Sequence, residues 1–319
     1  MRRSLPVLVI FLLVTIFFSC DLSMFQILDG EKASEDKNTF IITKEDEGFA
    51  STLSSFTLLL TSDQHFIRKD SGVYYETEAF IAWVKKYQKD HRGSAPDLQL
   101  THMISLGDIT DNSSPEEFKQ FIAFKNKLSD EEITTYVVKG NHDYRPGTNC
   151  IADWETYTGQ DSYQAFAHKG VSFYLLNTAA RTLGRIQMKE LQEAVKTDSR
   201  PKLFFSHVPL YGKPSLLYTV LSDSQERENL IHLMVENKGM LFLAGHHHQG
   251  DVLHSFRRAT SEFILGAFHG RDSLFEQIKP RWYLLYFNSV DKEITITRYQ
   301  VENDKKITEK MMGTLPVEL

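Results

Sequence analysis

Short apolar runs rich in β-branched and aromatic residues alternate with segments of helical period along most of this chain. FTLLLTSD at 56–63 predicts a buried strand, followed by a helix around Glu76 to His91. LTHMISLGD at 100–108 predicts a second strand, followed by a helix from Pro115 to Leu128, and TTYVVKGNHD at 134–143 a third strand running into a loop. SFYLLNTA, KLFFSHVP and MLFLAGHHH read as later strands, with helices over Gln187 to Thr197 and Gln225 to Lys238 between them. SEFILGAF, RWYLLYFN and EITITRYQ then follow as strand after strand without helices. An α/β chain with strand-rich later segments points to two stacked mixed β-sheets flanked by helices.

The start of the chain breaks this pattern. Arg2 and Arg3 precede an apolar stretch from Leu5 to Phe18 that ends in Ser19-Cys20. The run falls short of the roughly 20 residues that span a bilayer, and its basic flank reads as a secretory signal over residues 1–19. FFSC resembles the cleavage site of bacterial lipoprotein signals, although Phe17 and Phe18 stand where leucine and a small residue are usual. The resemblance implies an acylated Cys20 that anchors an exported protein to a membrane of the bacterial envelope, on the periplasmic or surface side. Residues 20–50, which include the polar and acidic DGEKASEDKNT, read as a tether, and residues 51–319 as the folded domain.

Composition narrows the function classes. A chain of 319 residues with 41% hydrophobic and 24% charged residues is an ordinary globular protein with a sizeable core. Its net charge of −6, made more acidic by loss of Arg2 and Arg3 with the signal, argues against binding nucleic acid through an overall basic field. Two cysteines form neither a zinc-type cluster nor a disulfide framework, so Cys150 is expected in the core or a loop.

Chemistry-bearing residues follow the apolar runs. Asp63 and His65 end the first; Asp108 and Asp111 follow the second; Asn141, His142 and Asp143 the third. His207 follows KLFF, and His246 and His248 follow MLFLA. Any one of these alone reads as a turn, a helix cap or a core histidine. In open α/β sheets, however, strand ends on the carboxyl side line one crevice, so five such ends can converge. Asp, Asn and His are the donors that divalent manganese, iron and zinc accept.

The ordered blocks DQH, GDITD, GNHD, SH and GHHH resemble those of the calcineurin-like metallophosphoesterase superfamily, over roughly residues 57 to 250. The resemblance implies a four-layer α/β/β/α sandwich and two divalent metal ions (Mn, Fe or Zn). Asp63, His65 and His248 would hold one ion; Asn141, His207 and His246 the other; the Asp108 carboxylate would bridge them. His247, between two ligands of an extended chain, points away and is expected as a supporting or surface group. His142 is the expected general acid or leaving-group donor, and Asp111 the carboxylate that pairs with it and favours its imidazolium. Asp111 also stands where purple acid phosphatases carry a tyrosine that ligates ferric iron, which argues against that branch.

A dinuclear centre with two carboxylates and a bridging hydroxide keeps about one net positive charge, enough to attract a small phosphorylated substrate to an acidic protein. The implied reaction is in-line attack of that hydroxide on the phosphorus of a phosphomonoester or phosphodiester, including nucleotides and cyclic nucleotides. The competing reading is a lipid-anchored metal-containing binding protein without turnover. Outside the shared blocks, Tyr144, Arg145 and Arg181 are candidates for meeting a substrate, and HVPLYGKP after His207 for a loop at the cleft rim. Neither a Gly-rich phosphate loop nor a G-x-S-x-G elbow offers an alternative chemistry.

Overall fold

The structure, a computed structural model, describes residues 42–44, 53–67, 75–93, 95–145, 150–212, 219–257, 259–270, 278–302 and 305–319. The signal sequence and Cys20 lie outside these residues. Among the described residues, no helix is long and apolar enough to cross a membrane.

Two sheets form the centre. One has six strands: β2 (Phe56–Thr61), β3 (Leu100–Ser105), β4 (Thr134–Val137), β11 (Arg281–Asn288), β12 (Glu293–Val301) and β13 (Ile307–Pro316), in the order β13-β12-β11-β2-β3-β4. The other has seven: β1 (Ile42–Lys44), β5 (Gln164–His168), β6 (Val171–Leu175), β7 (Lys202–Phe205), β8 (Gly239–Ala244), β9 (Val252–Ser255) and β10 (Ser261–Ile264), in the order β1-β5-β6-β7-β8-β10-β9. Helices α1 (Tyr75–His91), α2 (Pro115–Ser129) and α3 (Cys150–Thr158) precede α4 (Gly184–Thr197) and α5 (Ser224–Glu236) in the chain.

The apolar runs are nearly continuous because the strands are buried on both faces. Side chains alternate across a strand, so Leu58 and Leu60 face the second sheet while Leu59 faces the helices. Leu58, Leu60, Ile104, Leu285 and Phe287 meet Phe173, Leu175, Leu203, Phe205, Leu241 and Leu243 between the sheets. Leu59, Met103 and Trp282 pack against Phe80 and Val84 of α1 and Phe118, Phe121 and Phe124 of α2. On the opposite side, Tyr174, Phe204 and Phe242 pack against Leu191 and Val195 of α4 and Leu230 and Met234 of α5. The result is the expected α/β/β/α sandwich.

Local signals set several boundaries. Ser114 and Glu117 close a capping box at the start of α2, with Pro115 in its first turn. Asp223 caps α5 by accepting from Gln225 N at 2.8 Å. Five elements differ from the sequence expectation, among them the strands β9 (VLHS) and β13 (ITEKMMGTLP). Ile42–Lys44, inside the stretch read as a tether, pairs in parallel with β5, so the polar segment supplies an edge strand. The short α3 and the Ala-containing β5 (QAFAH) present too few periodic positions to stand out from loops.

β2, β3 and β4 run parallel to one another, as do β7 and β8. Their carboxyl ends therefore open in one direction within each sheet. Hydrogen bonds join the ends across the sandwich, among them His207 Nδ1 to Leu106 O at 2.8 Å and Phe268 N to Ser62 O at 2.8 Å.

Candidate metal centre

The chain leaves β2, β3 and β8 through sharp bends. Asp63, His65, Asp108 and His246 have φ of 53°, 46°, 49° and 66°. Left-handed backbone disfavours residues with a Cβ by roughly 1–2 kcal/mol each, and such strain persists where surrounding structure over-determines it and concentrates at functional sites. Here it turns the side chains into a common pocket. Gly140 allows a close approach: a Cβ there would lie 2.2 Å from Asp108 N and Oδ1.

All seven sequence-predicted ligands come together, and all but His246 and His248 are buried. Asp63, His65 and Asp108 bring ligand atoms within 4.8 Å of one another, as do Asp108, His207 and His246. Asp108 thus belongs to both groups. Its Oδ1 accepts from His142 N at 2.7 Å, while its Oδ2 lies 3.6 Å from His65 Nε2 and 3.2 Å from His207 Nε2. Asn141 Oδ1 and His246 Nδ1 lie 2.9 and 3.1 Å from the same His207 nitrogen. The Leu106 carbonyl, by taking the Nδ1 proton of His207, aims Nε2 into this group.

Asp63 provides a test of whether the pocket suits a cation. Its Oδ2 accepts from Ser62 Oγ at 2.5 Å and from His246 N at 3.1 Å. Its Oδ1 is buried with no hydrogen-bond partner among the described residues, 3.5 Å from His248 Nε2 and 3.9 Å from His65 Nε2. A buried carboxylate oxygen surrounded by imidazole nitrogens fits a divalent ion. The titration of the pocket agrees. Burial pushes His65 down to about 4, so its ring is neutral, as a ligand's must be. Burial also opposes charge on His207, but the charge and hydrogen bond of Asp108 outweigh it and hold His207 at about 9. Asp108, despite its own burial, is held well below the usual carboxylate range by His207 and His142. Asp108 demands a neighbouring positive charge, which His207 supplies.

The catalytic pair departs from expectation at one point. His142 lies beside the group, its ring edge-on to His65 at 4.6 Å between centroids. Its Nδ1, however, is 2.7 Å from the backbone carbonyl of Asp111, whereas the Asp111 carboxylate lies 3.2 Å from His65 Nδ1. Asp111 therefore braces a candidate ligand through its carboxylate and meets His142 Nδ1 through its main chain, while a carboxylate oxygen of Asp111 and a ring nitrogen of His142 also lie within 4.8 Å of each other. The cause is the bridge between Phe66 and Thr110, together with the bond from Asp111 N to Phe66 O at 3.1 Å, which holds Asp111 against the loop that carries His65.

Other residues change role as well. Arg145 Nη2 reaches His142 Nδ1 at 2.8 Å and Asp111 O at 3.0 Å, so it belongs to the centre. Arg181 instead donates through Nε and Nη2 to Val220 O, at 3.1 and 3.0 Å, and Tyr144 packs with Cys150 and Ala179. His247 is buried, not on the surface; it bonds Thr219 Oγ1, and its ring lies where a Cβ on Gly212 would point. Asp143, fully buried, accepts from Thr110 N at 2.9 Å, Thr110 Oγ1 at 2.8 Å and Gly140 N at 3.0 Å, tying the second loop to the third. The sequence reading missed His269, whose ligand nitrogen groups with those of His65 and His248 within 4.8 Å. The signal was present: His269 follows an apolar run, SEFILGAF, as the other ligands do.

Comparison with solved structures shows the same fold. A purple acid phosphatase, PPD1, from yellow lupin (Lupinus luteus) seeds is similar with a TM-score of 0.57 and 13% identity, over 82% of this chain and 54% of that one. The chain thus spans about half the length of the lupin protein. PhoD is similar with a TM-score of 0.55 and 12% identity, over 82% of this chain and 69% of that one. Comparison with curated proteins gave no match. The profile of one family matches residues 56–250, a span that begins with β2, takes in all five loops bearing the sequence-predicted ligands and ends just beyond His248: the chain belongs to the calcineurin-like phosphoesterases.

Proposed function

We propose that the protein hydrolyses small phosphoesters, monoesters or diesters, with two divalent ions: one held by Asp63, His65 and His248, the other by Asn141, His207 and His246, with Asp108 shared. The observation that carries this reading is the position of Asp108 Oδ2 between His65 Nε2 and His207 Nε2, beside the buried Asp63 Oδ1 that lacks a hydrogen bond among the described residues. When bound, the ions supply positive charge for the phosphoryl oxygens and activate water for in-line attack.

The protein's own groups do the rest. Ser62 and His246 N occupy one oxygen of Asp63, and His142 N one oxygen of Asp108, so the other oxygen of each carboxylate would be the one to hold an ion. Asp111 O, which also accepts from Arg145 Nη2, fixes the His142 ring by accepting from Nδ1, which leaves Nε2 to protonate or steady the leaving oxygen. Asp111, through its carboxylate, holds His65 in the orientation a ligand needs. Neutral His and Asn ligands preserve net positive charge at the pocket of an acidic protein.

The test is turnover of p-nitrophenyl phosphate and its bis-ester by the purified, manganese-loaded protein. Asp108→Ala and Asn141→Ala are expected to abolish activity, and His142→Ala to lower kcat by about 10²–10⁴-fold. Two bound ions without turnover on a broad phosphoester panel would refute hydrolysis and leave a metal-containing binding protein. We further propose, from the leader and Cys20, that the protein works at a bacterial envelope membrane to which an N-terminal lipid attaches it.

A further inference from the structure

His269 lies in the loop that follows β10, a segment outside the five motif-bearing loops. That loop is stitched to two of them. Phe268 N donates to Ser62 O at 2.8 Å, His269 N to Asp63 O at 3.3 Å, and Ala267 N to His248 O at 2.9 Å. Its main chain is therefore fixed against the backbone of two candidate ligands, Asp63 and His248. The His269 ring is 5% exposed. Its centroid lies 5.1 Å from that of His65 and 4.8 Å from that of His248, perpendicular to each at 87°. His65 and His248 are themselves edge-on, at 5.1 Å and 74°. Three mutually perpendicular rings do not stack; they present edges, and one nitrogen of each lies within 4.8 Å of the other two.

A metal–imidazole bond of about 2.0–2.1 Å puts nitrogens of neighbouring ligands on one ion roughly 3–4 Å apart, so small rotations of these rings suffice to share an ion. Asp63 Oδ1, buried 3.5 Å from His248 Nε2, faces the same space. We propose that His269 is a further ligand of the ion held by Asp63, His65 and His248. The inference rests on the dinuclear reading above and deepens it. Three imidazoles and two carboxylates, Asp63 and shared Asp108, give that ion five protein ligands and little room for an exchangeable one. The imidazole-rich site favours zinc or iron over manganese, while the Asn141 site, with fewer protein ligands, keeps open positions for substrate. The two ions thus differ in role: one is held for structure and charge, the other exchanges.

The experiment measures metal binding by the full-length protein. Zinc is titrated into wild-type, His269→Gln and His269→Phe proteins against a chelator, and the cobalt-substituted forms are examined by visible absorption. Wild type is expected to bind two ions. Each variant is expected to weaken one of them by at least 10-fold, to lose preference for zinc over manganese at that site alone, and to shift the cobalt bands. Hyperfine-shifted imidazole N–H resonances of cobalt-substituted wild type supply a readout that needs no variant; a signal from His269 supports ligation and its absence refutes it. Variants that bind two zinc ions with wild-type affinity and unchanged cobalt bands would overturn the role of His269 and leave the dinuclear reading standing. A wild type that binds no ion would overturn both.

Discussion

Replacing Gly140 by alanine adds one methyl group where the third loop packs against the backbone and carboxylate of Asp108. The new Cβ would lie 2.2 Å from both the backbone nitrogen and Oδ1 of Asp108, and 2.9 Å from its carboxylate carbon, whereas ordinary contact begins near 3.4 Å. Asp108 or the third loop must retreat by about 1.2 Å, and the obstacle includes main chain, not just the end of a flexible side chain. The retreat also disturbs the bonds from His142 N to Asp108 Oδ1 at 2.7 Å and from Gly140 N to Asp143 Oδ2 at 3.0 Å. Overpacking of this kind costs about 1–3 kcal/mol, which lowers Tm by about 2–4 °C per kcal/mol in a domain of this size. The larger effect is on chemistry, because the proposed centre shares Asp108 between two ions: a displacement near 1 Å is expected to lower turnover by about 100-fold and to weaken both ions together. Gly159→Ala is the control. Nothing lies within 4 Å of its added Cβ, and its φ of 68° confines the cost to local strain. Thermal melts, metal content after dialysis and kcat/KM on p-nitrophenyl phosphate are measured for both variants. A Gly140→Ala protein that keeps two ions and wild-type turnover would refute the placement of Asp108 at the junction.

The pH dependence of metal binding follows from His207. Its pKa of about 9 lies above the ordinary 6.5, so in metal-free protein its stabilising contribution is complete below pH 6.5 and is lost as pH rises through 9. An ion must displace that proton. Apparent manganese affinity in competition titrations is expected to rise about tenfold per pH unit between 7 and 9, and His207→Gln to flatten the slope. Burial pushes the Glu262 carboxyl up to about 7, although it accepts from Leu210 N at 2.5 Å and Tyr211 N at 3.2 Å in the loop beyond His207. Its folded-state pKa exceeds the ordinary 4.5, so its contribution is full below pH 4.5 and declines as pH rises through 7, by about 3 kcal/mol. Urea unfolding across pH 4.5–8 should show this decline in wild type relative to Glu262→Gln; parallel curves would refute it. For the proposed anchor, Cys20→Ser is expected to block acylation and shift the protein out of the detergent phase; unchanged partitioning would point to an uncleaved helical anchor.

Much of the centre was legible in the chain because the chemistry is local to each strand end. A buried strand must be apolar, so Asp63, Asp108, Asn141, His207, His246 and His248 stand out where the apolar runs stop. Their order alone carried the family resemblance, and the alternation of apolar runs with helical periods carried the layers. Sequence did not say which atom of a side chain meets which partner. The carboxylate of Asp111 hydrogen-bonds His65, where the bridge from Phe66 to Thr110 sets how two loops abut. His269 belongs to no motif, and joins the centre only because Phe268 and Ala267 hydrogen-bond to residues of two other loops. Arg181, a candidate substrate contact by its charge, is spent on Val220 O, and Ile42–Lys44 leaves the tether to pair with β5. Residue type and strand periodicity, which depend on a few neighbouring positions, were fixed in the chain itself. The aim of each donor was decided by hydrogen bonds between loops as many as 200 residues apart, and those exist only once the sheets have packed.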